Sequence, residues 1–102
     1  MFSSNEKSYW VYMLSNSRRT VLYTGVTSNL ISRLWDHRHG SVELHRFTSR
    51  YNVTDLVYYE QFGSILEAIS REKQIKSWAR GKKEKLINDS NPQRRDLSDD
   101  WE

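Results

Sequence analysis

The chain has 102 residues, 16 Lys and Arg against 13 Asp and Glu, a formal net charge of +3 and no cysteine. That length suits one domain with one modest core, and the missing cysteines exclude disulfides, zinc ribbons, iron–sulfur clusters and thiol nucleophiles. The start, MFSSNEKSYW, has no apolar run behind a basic region and no stretch is apolar enough to span a bilayer, so a cytoplasmic protein with no membrane partner is expected.

Low hydrophobicity is offset by 13% aromatic residues, which argues against disorder. Tyr9–Leu14 reads YWVYML and predicts a strand buried on both faces. Asn16 to Arg19 is polar and forms a loop. Thr20–Val26, TVLYTGV, is a second strand, and the short connection makes the pair an antiparallel hairpin. Gly25 near its end predicts a bulge, or a place where another backbone or a ligand comes close. Thr27, Ser28 and Asn29 supply helix caps, and Gly40 a stop. A helix is expected over Asn29–His39, with Leu30 and Leu34, and Ile31 and Trp35, at helical spacing. Ser41–Asn52 reads as a loop and Asp55–Phe62, DLVYYEQF, as a third strand. Ser64 and Glu67 form a capping box that opens a helix from Ile65 to Trp78 or Ala79. Its apolar stripe is Ile65, Ala68, Ile69, Ile75 and Ala79. Gly81 then breaks the chain, Lys82–Asn88 forms a short third helix, and Asn91-Pro92 ends it. The order β-β-α-β-α-α predicts a single small α/β (α+β) domain over residues 1–102. It has a three-stranded sheet flanked by helices, a core from 8 to 92, and a polar acidic tail at 93–102.

Charge is unevenly distributed. Arg71, Lys73, Lys76, Arg80, Lys82, Lys83 and Lys85 face two acids, Glu72 and Glu84, over the same stretch. A basic body suits a polyanion such as a nucleic acid, whose counterions Lys and Arg displace; a solvated helix face is the plain alternative.

Three features carry chemistry. Glu72 falls inside the apolar stripe of the second long helix, where a carboxylate is costly without a cation or donors. It is either a salt-bridged core acid or a metal ligand or acid–base group. Arg33 and His37 are four apart and share a helix face; two donors projecting together suit a phosphate oxygen, and an ordinary solvent face, with Asp36 and Arg38 surface-like, is the other reading. Tyr12 and Tyr23 sit on paired strands. They are core tyrosines with satisfied hydroxyls, or phenols that serve a cleft shared with Arg33 and Glu72. His37, His39 and His45 have no spacing that specifies a zinc site. Trp35, Trp78 and Trp101 can form an apolar patch for a protein partner.

Trp10-Val11-Tyr12, Tyr23-Thr24-Gly25, Arg33, Glu72 and a late Asn91 together resemble the GIY-YIG nuclease domain, and YTGVTSNLISRLWDH and SREKQIKSWARGKK resemble its small single-domain bacterial branch. The resemblance runs from about Tyr9 to Trp101 and implies a three-stranded antiparallel sheet flanked by helices. It implies a DNA endonuclease using one divalent cation, Mg²⁺ or Mn²⁺, in repair, recombination or the processing of structured DNA. Carried over by position, Glu72 holds the cation and Arg33 stabilises charge on the scissile phosphate. Tyr23 is the favoured general base, with Tyr12 as second candidate or hydrogen-bond partner. His37 assists proton transfer or binds phosphate. Gly25 lets the chain run close to the substrate backbone, Asn91 matches the family's late Asn, and Arg71, Lys73, Lys76, Arg80, Lys82 and Lys83 track the DNA. Trp10 replaces the Gly of the first motif, Thr24 the Ile of the second, and Val26 stands where some branches carry Lys. A separate domain for target choice is not expected, so DNA shape, a homodimer or a partner protein is expected to supply it. A nucleic-acid-binding module with weak or no catalysis is the alternative on the same fold.

Overall fold

A computed structural model describes residues 7–39, 53–99 and 101. The loop read at Ser41–Asn52, with His45, falls outside these residues. Strands β1 (Tyr9–Ser15), β2 (Leu22–Thr27) and β3 (Asp55–Phe62) form one antiparallel sheet in the order β2-β1-β3. The first strand is therefore the centre of the sheet, and residues 11 to 15 are all buried, as YWVYML predicts.

Helix α1 (Leu30–His39) covers one face. Its Leu30 and Leu34 pack with Tyr12, Leu14, Val53 and Leu56. Helices α2 (Ile65–Ser77) and α3 (Arg80–Ser90) cover the other, where Ala68, Ile75 and Ile87 meet Val11, Met13 and Val57. Among the described residues no helix is long and apolar enough to cross a membrane.

Local chemistry explains where the elements depart from expectation. The second strand starts at Leu22 rather than Thr20 because the Asn16 side chain takes the loop's donors. Its Oδ1 accepts from the amides of Thr20 and Val21 at 2.8 and 3.0 Å. The bulge expected at Gly25 is absent, since Gly25 pairs regularly with Tyr12. The irregularity sits instead between β1 and β3. Met13 pairs with Tyr58 and Leu14 with Leu56, so Val57 is the extra residue and both Val57 and Tyr58 join the α2 face. Ser64 caps α2 as the capping box requires, accepting from Leu66 and Glu67. The break between the last helices falls at Trp78 and Ala79, not Gly81. Arg80 holds the start of α3 against the hairpin loop by donating to the carbonyls of Arg19 and Thr20 and to Glu84.

The polar tail is a strap. The Leu97 amide donates to the Leu56 carbonyl at 2.7 Å, and Asp96 accepts from the Leu56 amide at 3.2 Å. Leu97 and Trp101 pack on the α1-side core. Arg38, surface-like in sequence, donates to the Thr54 carbonyl at 2.7 Å and to Asp96 at 3.4 Å, so the strap latches β3 to α1. An Asp96→Ala protein is expected to lose about 1–3 kcal/mol of stability, because the Leu56 amide at a fully buried residue loses its acceptor. Urea unfolding checks this, and an unchanged midpoint refutes the latch.

Candidate active site

Strand pairing brings the motif residues together. Tyr12 stands opposite Gly25, and Tyr23 opposite Leu14, so all four share the sheet face under α1. A Cβ on Gly25 would lie 2.5 Å from the Tyr12 hydroxyl oxygen, so the glycine is the hollow into which the phenol fits. From the helix side, His37 reaches down between the two rings. Its centroid is 5.7 Å from that of Tyr12 and 4.9 Å from that of Tyr23, both edge-to-face. The Tyr12 hydroxyl is 2.8 Å from His37 Nε2 and also hydrogen-bonds the side chain of Tyr23. The three groups form a chain from half-buried Tyr23, through Tyr12, to buried His37.

Burial governs the charge states. Desolvation, then the nearby Tyr23, pushes the Tyr12 phenol far above its ordinary range, so it stays protonated. Desolvation, then the Arg33 guanidinium, lowers His37 to about 4, so the imidazole is neutral at neutral pH. Neutral and only 1% exposed, His37 shares a hydrogen bond with the Tyr12 hydroxyl through Nε2, and its tautomer sets which of the two donates. Arg33, half-buried one turn earlier on α1, acts electrostatically on both Tyr12 and His37.

Glu72 comes from the other layer. Helix α2 crosses β1 and β2, and the Glu72 carboxylate is close enough to raise Tyr12 further. Its side chain is only 14% exposed and its oxygen is 2.8 Å from the Lys76 ammonium. A partly buried carboxylate already holding a cation is a donor that suits a metal. Among the described residues no cluster of three or more acidic or His side chains surrounds it. That single carboxylate fits Mg²⁺, which keeps several waters and takes other ligands from substrate phosphate.

The basic residues divide. Arg71 is bound to Glu60 at 2.9 Å and stacked over Trp78, and Arg80 is spent on the hairpin loop. Lys82 also lies over the Trp78 ring, 4.5 Å from its centroid, and Lys76 is paired with Glu72. Lys73 is exposed and Lys83 half-buried. Asn91 is buried, with its amide donating to the carbonyls of Val57 and Arg95, so it fastens the strap and has no donor left for DNA. Sequence reading missed Arg38, whose partner Asp96 is 58 positions away.

The fold and this cluster define a class. A model described as the GIY-YIG catalytic domain matches residues 8–85, and the chain belongs to the GIY-YIG family, a nuclease superfamily. More closely, it resembles small proteins named UPF0213. The one from Natronomonas pharaonis is 41% identical over 81 residues, 79% of this chain and 92% of that protein. The one from Staphylococcus haemolyticus is 37% identical over 81 residues, 79% of this chain and 95% of that protein. The solution NMR structure of a UPF0213 protein from Bacillus halodurans has the same fold, with a TM-score of 0.53 at 24% identity over 91% of this chain and 97% of that one.

Two outcomes follow from the geometry. Gly25→Ala forces a methyl against a phenol pinned by His37, and is expected to cost about 1–3 kcal/mol of overpacking. A thermal melt identical to that of the parent refutes the close fit. His37 titrates near 6.5 unfolded and about 4 folded. Between those values the unfolded chain binds the extra proton, so stability present above pH ~6.5 is lost as pH falls toward ~4. Urea unfolding at neutral pH and near pH 4 should show a shallower drop for His37→Gln than for the parent. Equal drops overturn the neutral histidine.

Proposed function

We propose that this chain is a metal-dependent DNA endonuclease that hydrolyses phosphodiester bonds. The observation that carries this reading is the convergence of two hydroxyls, a neutral imidazole and an arginine on one sheet face, with a carboxylate in electrostatic reach.

Phosphodiester hydrolysis needs an activated water and positive charge at the non-bridging oxygens. Arg33 supplies the charge. Tyr23 is the general base, being the more exposed of the two phenols. It hydrogen-bonds Tyr12 and, being half-buried, is within reach of an incoming water. Tyr12 is too strongly held as a phenol to be the base; hydrogen-bonded to both Tyr23 and His37 Nε2, it would pass the proton between them. His37 is the inner end of the relay. Its proton affinity is held down partly by Arg33, and that repulsion weakens once a phosphate pairs with the guanidinium. Glu72 would hold one divalent cation, Mg²⁺ or Mn²⁺, in place of Lys76. Held there, such a cation would supply Lewis-acid stabilisation of charge on the phosphate and the leaving oxygen. Lys73, Lys76, Lys82 and Lys83 supply cations for the DNA backbone, the last two from α3. A DNA-repair or recombination setting in the cytoplasm fits such a nuclease, and a homodimer or partner protein would choose its targets.

The test is cleavage of labelled single-stranded, duplex and branched DNA in Mg²⁺ or Mn²⁺. Glu72→Gln should abolish cutting while leaving binding intact. Tyr23→Phe should slow it by roughly 10²–10⁴-fold, and Arg33→Ala by roughly 10²–10³-fold. No cutting by the parent, with salt-sensitive binding by every form, sinks the nuclease and leaves a nucleic-acid-binding module.

A further inference from the structure

A second hollow opens on the other flank of α1. Arg33 and His37 lean to one side of the helix. Ile31 and Trp35 project from the opposite side, with Ile31 67% exposed. There Trp10, Tyr59 and Trp101 stand in an edge-to-face row, with centroids 5.8 and 5.7 Å apart. These rings and Ile31 line an open, apolar cavity of ≈ 400 Å³. A polar depression adjoins it, sharing Ser28 and Asn29 and lined further by Lys7 and Ser8. An aromatic box beside a cationic, hydroxyl-lined shelf has two-part chemistry. A purely apolar occupant, such as an acyl chain or a leucine side chain, would leave the shelf unused.

We infer that this hollow takes an unpaired nucleobase of the strand the chain acts on, with that nucleotide's phosphate on the shelf at Lys7. The inference rests on the proposed function and adds a base-stacking subsite to it. Every base offers a π-face, so rings that pack edge-to-face with open flanks accept bases with little regard to sequence. A lysine and hydroxyl groups are the usual phosphate partners, and they fix register without reading sequence. Position agrees with this. Trp10 precedes Tyr12 by two residues on β1 and shares its face, about 7 Å along the strand. Ile31 is on the opposite side of α1 from Arg33 but only about 3 Å from it along the helix axis. The base therefore belongs to a nucleotide near the phosphate that meets Arg33, and a helix of paired DNA cannot deliver it without unstacking.

The experiment uses the full chain in EDTA, so that no strand is cut. Short labelled single-stranded DNAs, each with one abasic position at a different place, are titrated by fluorescence anisotropy. One register should bind about ten-fold more weakly than the intact strand, the scale of a lost base–aromatic stack. Ile31→Asp, at an exposed position outside the core, and Trp101→Ala should weaken the intact strand similarly. Both should erase the abasic penalty, because the same interaction cannot be lost twice; Trp101→Phe should retain it. If no register matters, or if Ile31→Asp keeps the full penalty while strands still bind in a salt-sensitive way, the subsite is overturned and the nuclease reading stands. If no form binds DNA at all, both fall together.

Discussion

A phenol hydroxyl buried in an apolar layer is costly unless both its donor and its acceptor are used. Tyr12, on the central strand, meets that constraint from two elements at once. Its oxygen is 2.8 Å from His37 Nε2 on α1 and is hydrogen-bonded to Tyr23 on β2. The ring fits only because Gly25 opposite it has no side chain. Satisfying one hydroxyl therefore fixes the height and rotation of α1 over the sheet, and with them the position of Arg33 one turn away. The same bonds that make the core sound also align the proposed relay.

Other elements hold this arrangement from outside. The C-terminal strap ties β3 to α1 through Asp96 and Arg38, the residue next to His37. On the opposite layer, Ala68 and Ile75 seat α2 against the sheet, and Glu72 lies between them on the inward side of the helix. A lysine one turn on neutralises it. Such a pair is no great source of stability, since desolvation offsets its attraction. In the proposed function its value lies in keeping a carboxylate where a divalent cation would replace the ammonium.

Much of this is legible in the chain because the signals are local. The aromatic run of β1, the Ser64 cap and the misplaced charge at Glu72 each stand on a few neighbouring residues. The close approach at Gly25 is announced by a glycine inside a strand. What is illegible depends on partners far apart. Asn16 shortening β2, the bulge at Val57 and Arg80 starting α3 are tertiary choices among locally equal options. Nothing near Arg38 or Asn91 tells that each is fastened to the strap. The apolar pairs Leu30–Leu34 and Ile31–Trp35 are equivalent by spacing, and only the sheet decides that the first is buried. The seven cations from Arg71 to Lys85 also look alike in sequence. Arg71 and Arg80 turn out to be structural, because a guanidinium can satisfy carbonyls and a carboxylate at once.

The electrostatics of the cluster then follow from its layering. Against the sheet, Tyr12 keeps its proton and His37 lacks one, so the buried half carries no charge at neutral pH. The charged members, Arg33 and Glu72, sit at its margins and are only partly buried. This division is what a low-dielectric interior permits, since an ion pair placed at Tyr12 would face a desolvation cost that its attraction does not return. It also sets a direction for proton movement. In the proposed relay a proton released at the margin would travel inward to a neutral acceptor, and an anion at Arg33 would offset the repulsion that adds to desolvation in lowering the affinity of the imidazole. In that proposal, binding an anion and gaining proton affinity are coupled through one guanidinium.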